Sequence, residues 1–197
     1  MNPKNPLQLP PIIEQVRELA RQGDRLFLVG GAVRDAILGR SSRDFDFAVG
    51  GNAIRFSRHV ANKLKGDFYA LDEERDAGRV LLRDESGQRS VLDFVSMRGD
   101  SIEADLLERD FTINAMAIEL SGGEHLYDPC GGSQDLRDQR LKACREDSIA
   151  SDPIRVLRAI RLANQFDLRI EAKTLQMIKA SVPDLATSSA ERIRDEF

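Results

Sequence analysis

The sequence contains no tryptophan, and phenylalanine and tyrosine together make up only 6% of it. It therefore offers no obvious stacking platform of the kind used by many single-strand RNA binders. Positive charge is not in surplus either. The formal net charge is -4, which argues against a chain that grips nucleic acid mainly by bulk electrostatics. Cysteine is scarce: Cys130 and Cys144 are the two present, and they form no C-x-x-C pair. Neither a zinc site nor a disulfide scaffold is indicated, and reduced thiols are expected. No apolar run approaches the length of a membrane helix. Met1 to Pro11 is rich in Pro and Asn and lacks the apolar stretch of a secretory signal. A soluble, cytoplasmic protein is the expectation. Histidine is nearly absent, with His59 on an expected surface helix and His125 in a turn, and no Ser–His or Cys–His nucleophile is offered.

What is present is enough for a core, since 41% of residues are hydrophobic. Most of the positive charge is arginine, which suits bidentate contacts with phosphates and base edges. There is no internal repeat and no low-complexity block. Residues 1–11 read as a loose arm, followed by an amphipathic helix over 12–21. Arg25 to Val29 reads as a buried strand that stops at Gly30-Gly31, and Ala32 to Leu38 as a helix ended by Gly39. Phe45, Phe47 and Val49 alternate with Asp44, Asp46 and Ala48, the period of a strand. Asn52 caps a helix to about Lys65. Strands at 79–83 and 89–96 are joined by a hairpin-like link at 84–87. Residues 102–116 read as helical in pieces, and 117–120 as a strand. Beyond Asp152 strand signals fade, and helices are expected at 152–166, 171–181 and 189–197. The last has no stop signal, which predicts a longer protein. The order implies a mixed α/β (α+β) domain over 12–145, a small sheet covered by helices, then an all-helical part over 146–197.

Three constellations carry chemistry. Gly30-Gly31-Ala32-Val33-Arg34-Asp35 follows a strand and opens a helix. The glycines let the backbone approach a ligand, the helix N-terminus favours a phosphate, and Arg34 lies one turn in. The alternative is a plain strand-to-helix turn. The pattern matches neither the P-loop nor the Rossmann glycine fingerprint. In Asp44-Phe45-Asp46, period two puts both carboxylates on one sheet face and Phe45 in the core. Two such carboxylates repel unless a cation sits between them, and magnesium takes one or two carboxylates with phosphate oxygens and water. Asp93, in the apolar strand Val91 to Val95, is costly to bury unless paired. It is either at a solvent edge or a third carboxylate on the same face, able to bind metal or take a proton.

Val29 to Gly39 followed by Asp44-Phe45-Asp46 resembles the first motif of the bacterial-type (class II) CCA-adding enzyme and poly(A) polymerase family. Arg109 to Ala117 (RDFTINAMA) resembles the second, and Asp128-Pro129, Gly131-Gly132 and Asp135-Leu136 the third. Asp152 to Arg161 (DPIRVLRAIR) resembles the nucleotide-selecting helix, and Glu191 to Glu196 (ERIRDE) the helical motif that follows. The resemblance spans about residues 25–197. It implies a polymerase-β-like nucleotidyltransferase head with a small mixed sheet, followed by the start of a helical neck. It also implies transfer of CMP and/or AMP from CTP and ATP to the 3′ end of tRNA. Poly(A) synthesis in the same family is the alternative; a catalytically idle nucleotide- or RNA-binding module is the alternative from another class. No membrane and no protein partner is implied.

The resemblance gives Gly30, Gly31 and Arg34 to the triphosphate, and Asp44 and Asp46 to two magnesium ions. Asp93 stands where the family places its third acidic residue. Arg109 and Asp110 would contact sugar and phosphates, with Asn114 nearby; Asn114 can equally be a helix-end hydrogen bonder. At about 100° per residue, Arg155, Arg158 and Arg161 share one side of a helix, with Val156, Leu157, Ile160 and Ala163 opposite. Asp152 can accept and Arg155 donate at the edge of a cytosine or adenine. Two departures stand out. Glu108 replaces the first of two arginines, and Ser151 replaces the Glu that orients the templating Arg, which leaves Arg155 less restrained. The charged segment 73–89 is either a surface hairpin or the family's mobile loop.

Overall fold

The computed structural model describes residues 9–21, 24–84, 86–123 and 125–197; the arm expected over 1–11 lies outside them as far as residue 8. The chain forms two compact units. One holds the residues up to Ala104 with Ala117–Tyr127, and the other holds Asp105–Met116 with Asp128–Phe197.

In the first unit the apolar run Leu26–Val29 forms β1, buried along its whole length. It has helix α1 (Pro11–Glu18) before it and helix α2 (Gly31–Ile37) after it. Next come β2 (Asp44–Val49), α3 (Ala53–Leu64), β3 (Asp67–Asp72), β4 (Ala77–Arg83) and β5 (Arg89–Ser96). Helix α4 (Ile102–Leu107) leads the chain towards the second unit, and β6 (Ala117–Glu119) and β7 (Leu126–Tyr127) complete the sheet. The seven strands lie in the order β3-β4-β5-β2-β1-β6-β7. β2 and β5 run parallel and the other pairs antiparallel, so the small mixed sheet expected from the sequence is found.

Local chemistry explains these elements. In β2 the alternation holds: Phe45 and Phe47 are buried while Asp44 and Asp46 are exposed. Phe47 stacks on Phe94 of β5 at 4.6 Å, and Phe56 of α3 meets Phe94 edge-on at 5.5 Å, which ties the helix to the sheet. Asn52 caps α3 by accepting from the Arg55 amide at 2.6 Å, and Lys65 ends it in the left-handed conformation. Asp76, in the β3–β4 turn, accepts from the Ala53 and Ile54 amides at 2.7 and 3.0 Å and from the Ser96 hydroxyl. The segment 73–89 is accordingly a pair of short turns around β4 among the described residues. At the second turn Asp84 accepts from the Ser86 hydroxyl and the Gln88 amide, which push its carboxyl down to about 2.

In the second unit a 3-10 turn (Thr112–Asn114) and α5 (Gly132–Arg137) lead to a parallel two-stranded ribbon of β8 (Arg140–Leu141) and β9 (Arg169–Ile170). Helices α6 (Arg155–Phe166), α7 (Ala172–Ser181) and α8 (Ala190–Asp195) complete it, each shorter than the sequence pattern alone suggested. Asp128 caps α5 with both oxygens, on Gly132 N at 2.6 Å and Ser133 N at 3.0 Å. Cys130 and Cys144 are free, half-buried thiols. No helix among the described residues is long and apolar enough to cross a membrane.

Candidate functional site

In the first unit the ladder between β1 and β2 puts Val29 opposite Asp46. The chain therefore turns at Gly30-Gly31 immediately beyond the partner of an acidic residue. Gly30 has φ 73°, which strains any residue with a Cβ. A Cβ added at Gly31 would come within 3.3 Å of Arg34 Nη2, so the guanidinium lies against the turn. Arg34 is buried and ion-paired with Asp35 at 2.9 Å. Asp44 is seated by Ser42, whose hydroxyl donates to the Asp44 carbonyl at 2.9 Å. Asp44 and Asp46 thus present two hard carboxylate groups on one exposed face beside the glycine turn, a donor set that fits a small divalent cation.

Asp93 is not at an edge. Its strand, β5, lies between β2 and β4, and Asp93 stands opposite Asp46 on one side and Arg79 on the other. Both its oxygens are taken by Arg79: Nε to Oδ1 and Nη2 to Oδ2, each at 2.7 Å. Sequence reasoning missed Arg79. The signal was available in the turn at 84–88, whose register fixes residue 79 against residue 93. Among the described residues, no group of three or more His, Cys, Asp or Glu is gathered closely enough to hold a metal ion.

In the second unit Asp110 is a hub. It is buried, and it accepts from the Phe111 amide at 2.7 Å, Asn114 Nδ2 at 3.3 Å and Arg158 Nη1 at 3.3 Å. Arg109 is paired with Asp105 at 3.1 Å, and Glu108, the first departure, pairs with Arg145. The second and third motifs meet where the Thr112 hydroxyl donates to buried Asp135 at 2.7 Å, and Arg140 donates to the other oxygen of Asp135 at 2.8 Å.

Arg155 is more restrained than the change at Ser151 suggested. Its Nη1 donates to the Ser148 carbonyl at 2.7 Å and lies 3.4 Å from the Ser151 hydroxyl. Asp152 accepts from Arg192 at 2.7 Å. Burial acts to raise the Asp152 pKa, but the Arg192 hydrogen bond and charge outweigh it and hold the carboxyl below its ordinary value.

The packing of α6 differs from the sequence reading. Val156, Ala159, Leu162 and Phe166 are its buried residues, whereas Ile160, expected on the packed side, is 49% exposed. At about 100° per residue this buried stripe flanks the arginine side rather than opposing it. Arg158 is drawn in and neutralised there, donating to Glu196 at 2.9 Å as well as to Asp110. Arg161 takes the other Glu196 oxygen at 2.8 Å. Burial lowers the Arg158 pKa, yet the charges of Asp110 and Glu196 leave it raised overall. Glu196, itself buried, was missed as an organiser of these arginines because it lies 35 or more residues away along the chain.

The poly A polymerase head domain family model matches residues 26–142. A CC-adding tRNA nucleotidyltransferase of Geobacter sulfurreducens is 44% identical over 188 residues, 95% of this chain and 43% of that protein. An A-adding tRNA nucleotidyltransferase of Deinococcus radiodurans is 38% identical over 175 residues, 86% of this chain and 38% of that protein. Among solved structures, a Thermotoga maritima CCA-adding enzyme complexed with tRNA superposes with a TM-score of 0.82 at 34% identity, covering 96% of this chain and 47% of that one. The chain spans less than half the length of these relatives.

Proposed function

The chain belongs to the poly A polymerase head domain family, and from that premise we propose that it is the nucleotide-transferring part of a tRNA nucleotidyltransferase. The reaction joins CMP, AMP or both, from CTP and ATP, to the 3′-hydroxyl of tRNA in the cytoplasm. The observation that carries this reading is the pairing of Val29 with Asp46. It sets two same-face carboxylates beside a glycine turn backed by Arg34.

The residues divide the work. Gly30 and Gly31 give the triphosphate close access to backbone, and Arg34, with Asp35 fixing its fork, offsets phosphate charge. Asp44 and Asp46 would hold two magnesium ions. When bound, these ions activate the attacking hydroxyl and stabilise the pyrophosphate leaving group. In the second unit Asp110 and Arg109 would contact sugar and phosphates, with Asn114 fixed on Asp110. Asp152 and Arg155 would read the base edge, each oriented by an internal partner. Arg158 and Arg161, both held by Glu196, would brace that helix.

The names of the relatives divide among CC, A and CCA addition, so the nucleotides added are a matter for assay. The full chain as its gene encodes it should be given tRNAs ending before, within and after the CC, with CTP and ATP separately. Incorporation of C, A or both identifies the subclass. Long A tracts on any RNA would instead favour poly(A) synthesis. Nucleotide binding without incorporation would overturn the enzyme reading in favour of an idle module.

A further inference from the structure

Asp46, Asp93 and Arg79 form a row across three neighbouring strands, fixed by the registers of β2 with β5 and of β5 with β4. Asp44 shares the face of Asp46 two residues away. The Arg79 guanidinium feels the charge of all three carboxylates. It is committed to one of them, with two parallel 2.7 Å hydrogen bonds to Asp93. The environment favours the charged guanidinium: the Asp93 hydrogen bond comes first, burial works against it, and the charges of Asp93, Asp44 and Asp46 add to it.

We propose that Arg79 is a positioning residue for the acidic row: by holding both oxygens of Asp93 it keeps this third carboxylate out of the cation shell and weakens the row's pull on divalent cations. The proposal rests on the reading of Asp44 and Asp46 as the cation site. Two charge-assisted bonds must break before Asp93 can reach a cation, so the site works from two carboxylates until Arg79 lets go. A lysine here would keep the charge but could not match both oxygens with a planar fork. Removing the charge altogether would free Asp93 and leave the row less compensated, which a divalent cation relieves.

The test is manganese binding without nucleotide, followed by the paramagnetic resonance signal of free Mn2+, with a thermal melt of each protein to establish folding. Relative to the parent protein, Arg79→Gln should bind Mn2+ about tenfold tighter and Arg79→Lys about threefold tighter. Adding Asp93→Asn to Arg79→Gln should return the affinity to the parent value, because the freed carboxylate is gone. Unchanged or weaker binding in both folded Arg79 variants, with binding still lost in Asp44→Asn/Asp46→Asn, would overturn the role of Arg79 alone. Undiminished binding in Asp44→Asn/Asp46→Asn would overturn the cation site itself. If Arg79→Gln fails to fold, Arg79→Lys decides: parent-like affinity in that variant rejects the clamp.

Discussion

Arg192 donates to Asp152 Oδ2 at 2.7 Å, so the acceptor assigned to the base edge is aimed by a side chain from the last helix. The contact joins the two final sequence motifs and gives the second a task in nucleotide choice. Arg192→Ala should raise KM for the preferred nucleotide about tenfold, with kcat changed far less, the cost of losing one charge-assisted bond. Arg192→Lys should recover part of it. Steady-state kinetics with each of the four nucleotides measures this, and an unchanged KM would detach Arg192 from selection.

Ser151 bears on the same question from the other side. Arg155 donates its shorter bond, 2.7 Å, to the Ser148 carbonyl and a longer one, 3.4 Å, to the Ser151 hydroxyl. A carbonyl cannot be removed by side-chain substitution, so Ser151→Ala should change discrimination between nucleotides by less than about threefold. A larger loss would make the hydroxyl the orienting group.

Asp76 gives the first unit a defined acid sensitivity. Burial tends to raise its pKa, but the Ser96 hydroxyl and the Ile54 and Ala53 amides outweigh that and hold it below the ordinary carboxylate value. A group depressed by folding contributes stability above its unfolded pKa of about 3.9 and loses it as pH falls through the folded value. Asp76→Ala should cost about 1–2 kcal/mol near neutrality, the worth of a helix cap. It should also flatten the fall in melting temperature below about pH 4. Melting curves from pH 7 to 2.5 test both.

Gly132 marks the closest approach in the second unit. A Cβ there would sit 2.0 Å from the Thr112 carbonyl oxygen, and the obstacle is backbone rather than a movable side chain. Gly132→Ala should destabilise by about 3 kcal/mol, the upper range for overpacking, whereas Gly123→Ala meets nothing within 4 Å and bears only the strain of φ 135°. Denaturant melts of the two variants make the comparison. Equal stability would contradict the packing account.

The period-two alternation of Asp44 to Val49, the Asn52 cap and the link at 84–87 were all legible in the sequence, because each is written in residues close along the chain. The β3 strand was not. It lies at the sheet edge with Tyr69 50% and Leu71 48% exposed, so it lacks the half-buried alternation that marks a strand. The parallel pairing of β2 with β5 depends on packing between distant segments; the sequence left Asp93 between a solvent edge and the face of Asp46, and the register selects the second. The three arginines of α6 were seen as one face. The neutralisation of Arg158 by Asp110 and Glu196, and of Arg161 by Glu196, was hidden because helical periodicity says which residues share a side, not what a distant carboxylate brings to it.

The central claim is that Asp44 and Asp46 carry a cation-dependent nucleotide transfer beside the Gly30-Gly31 turn. The most direct measurement is incorporation of labelled CMP and AMP into tRNA lacking its 3′ end by the full chain and by its Asp44→Asn and Asp46→Asn variants, with nucleotide binding followed in parallel. Each substitution should lower incorporation by about a thousandfold or more while the fold and nucleotide binding survive. Incorporation at the parent rate in either folded variant would contradict the account.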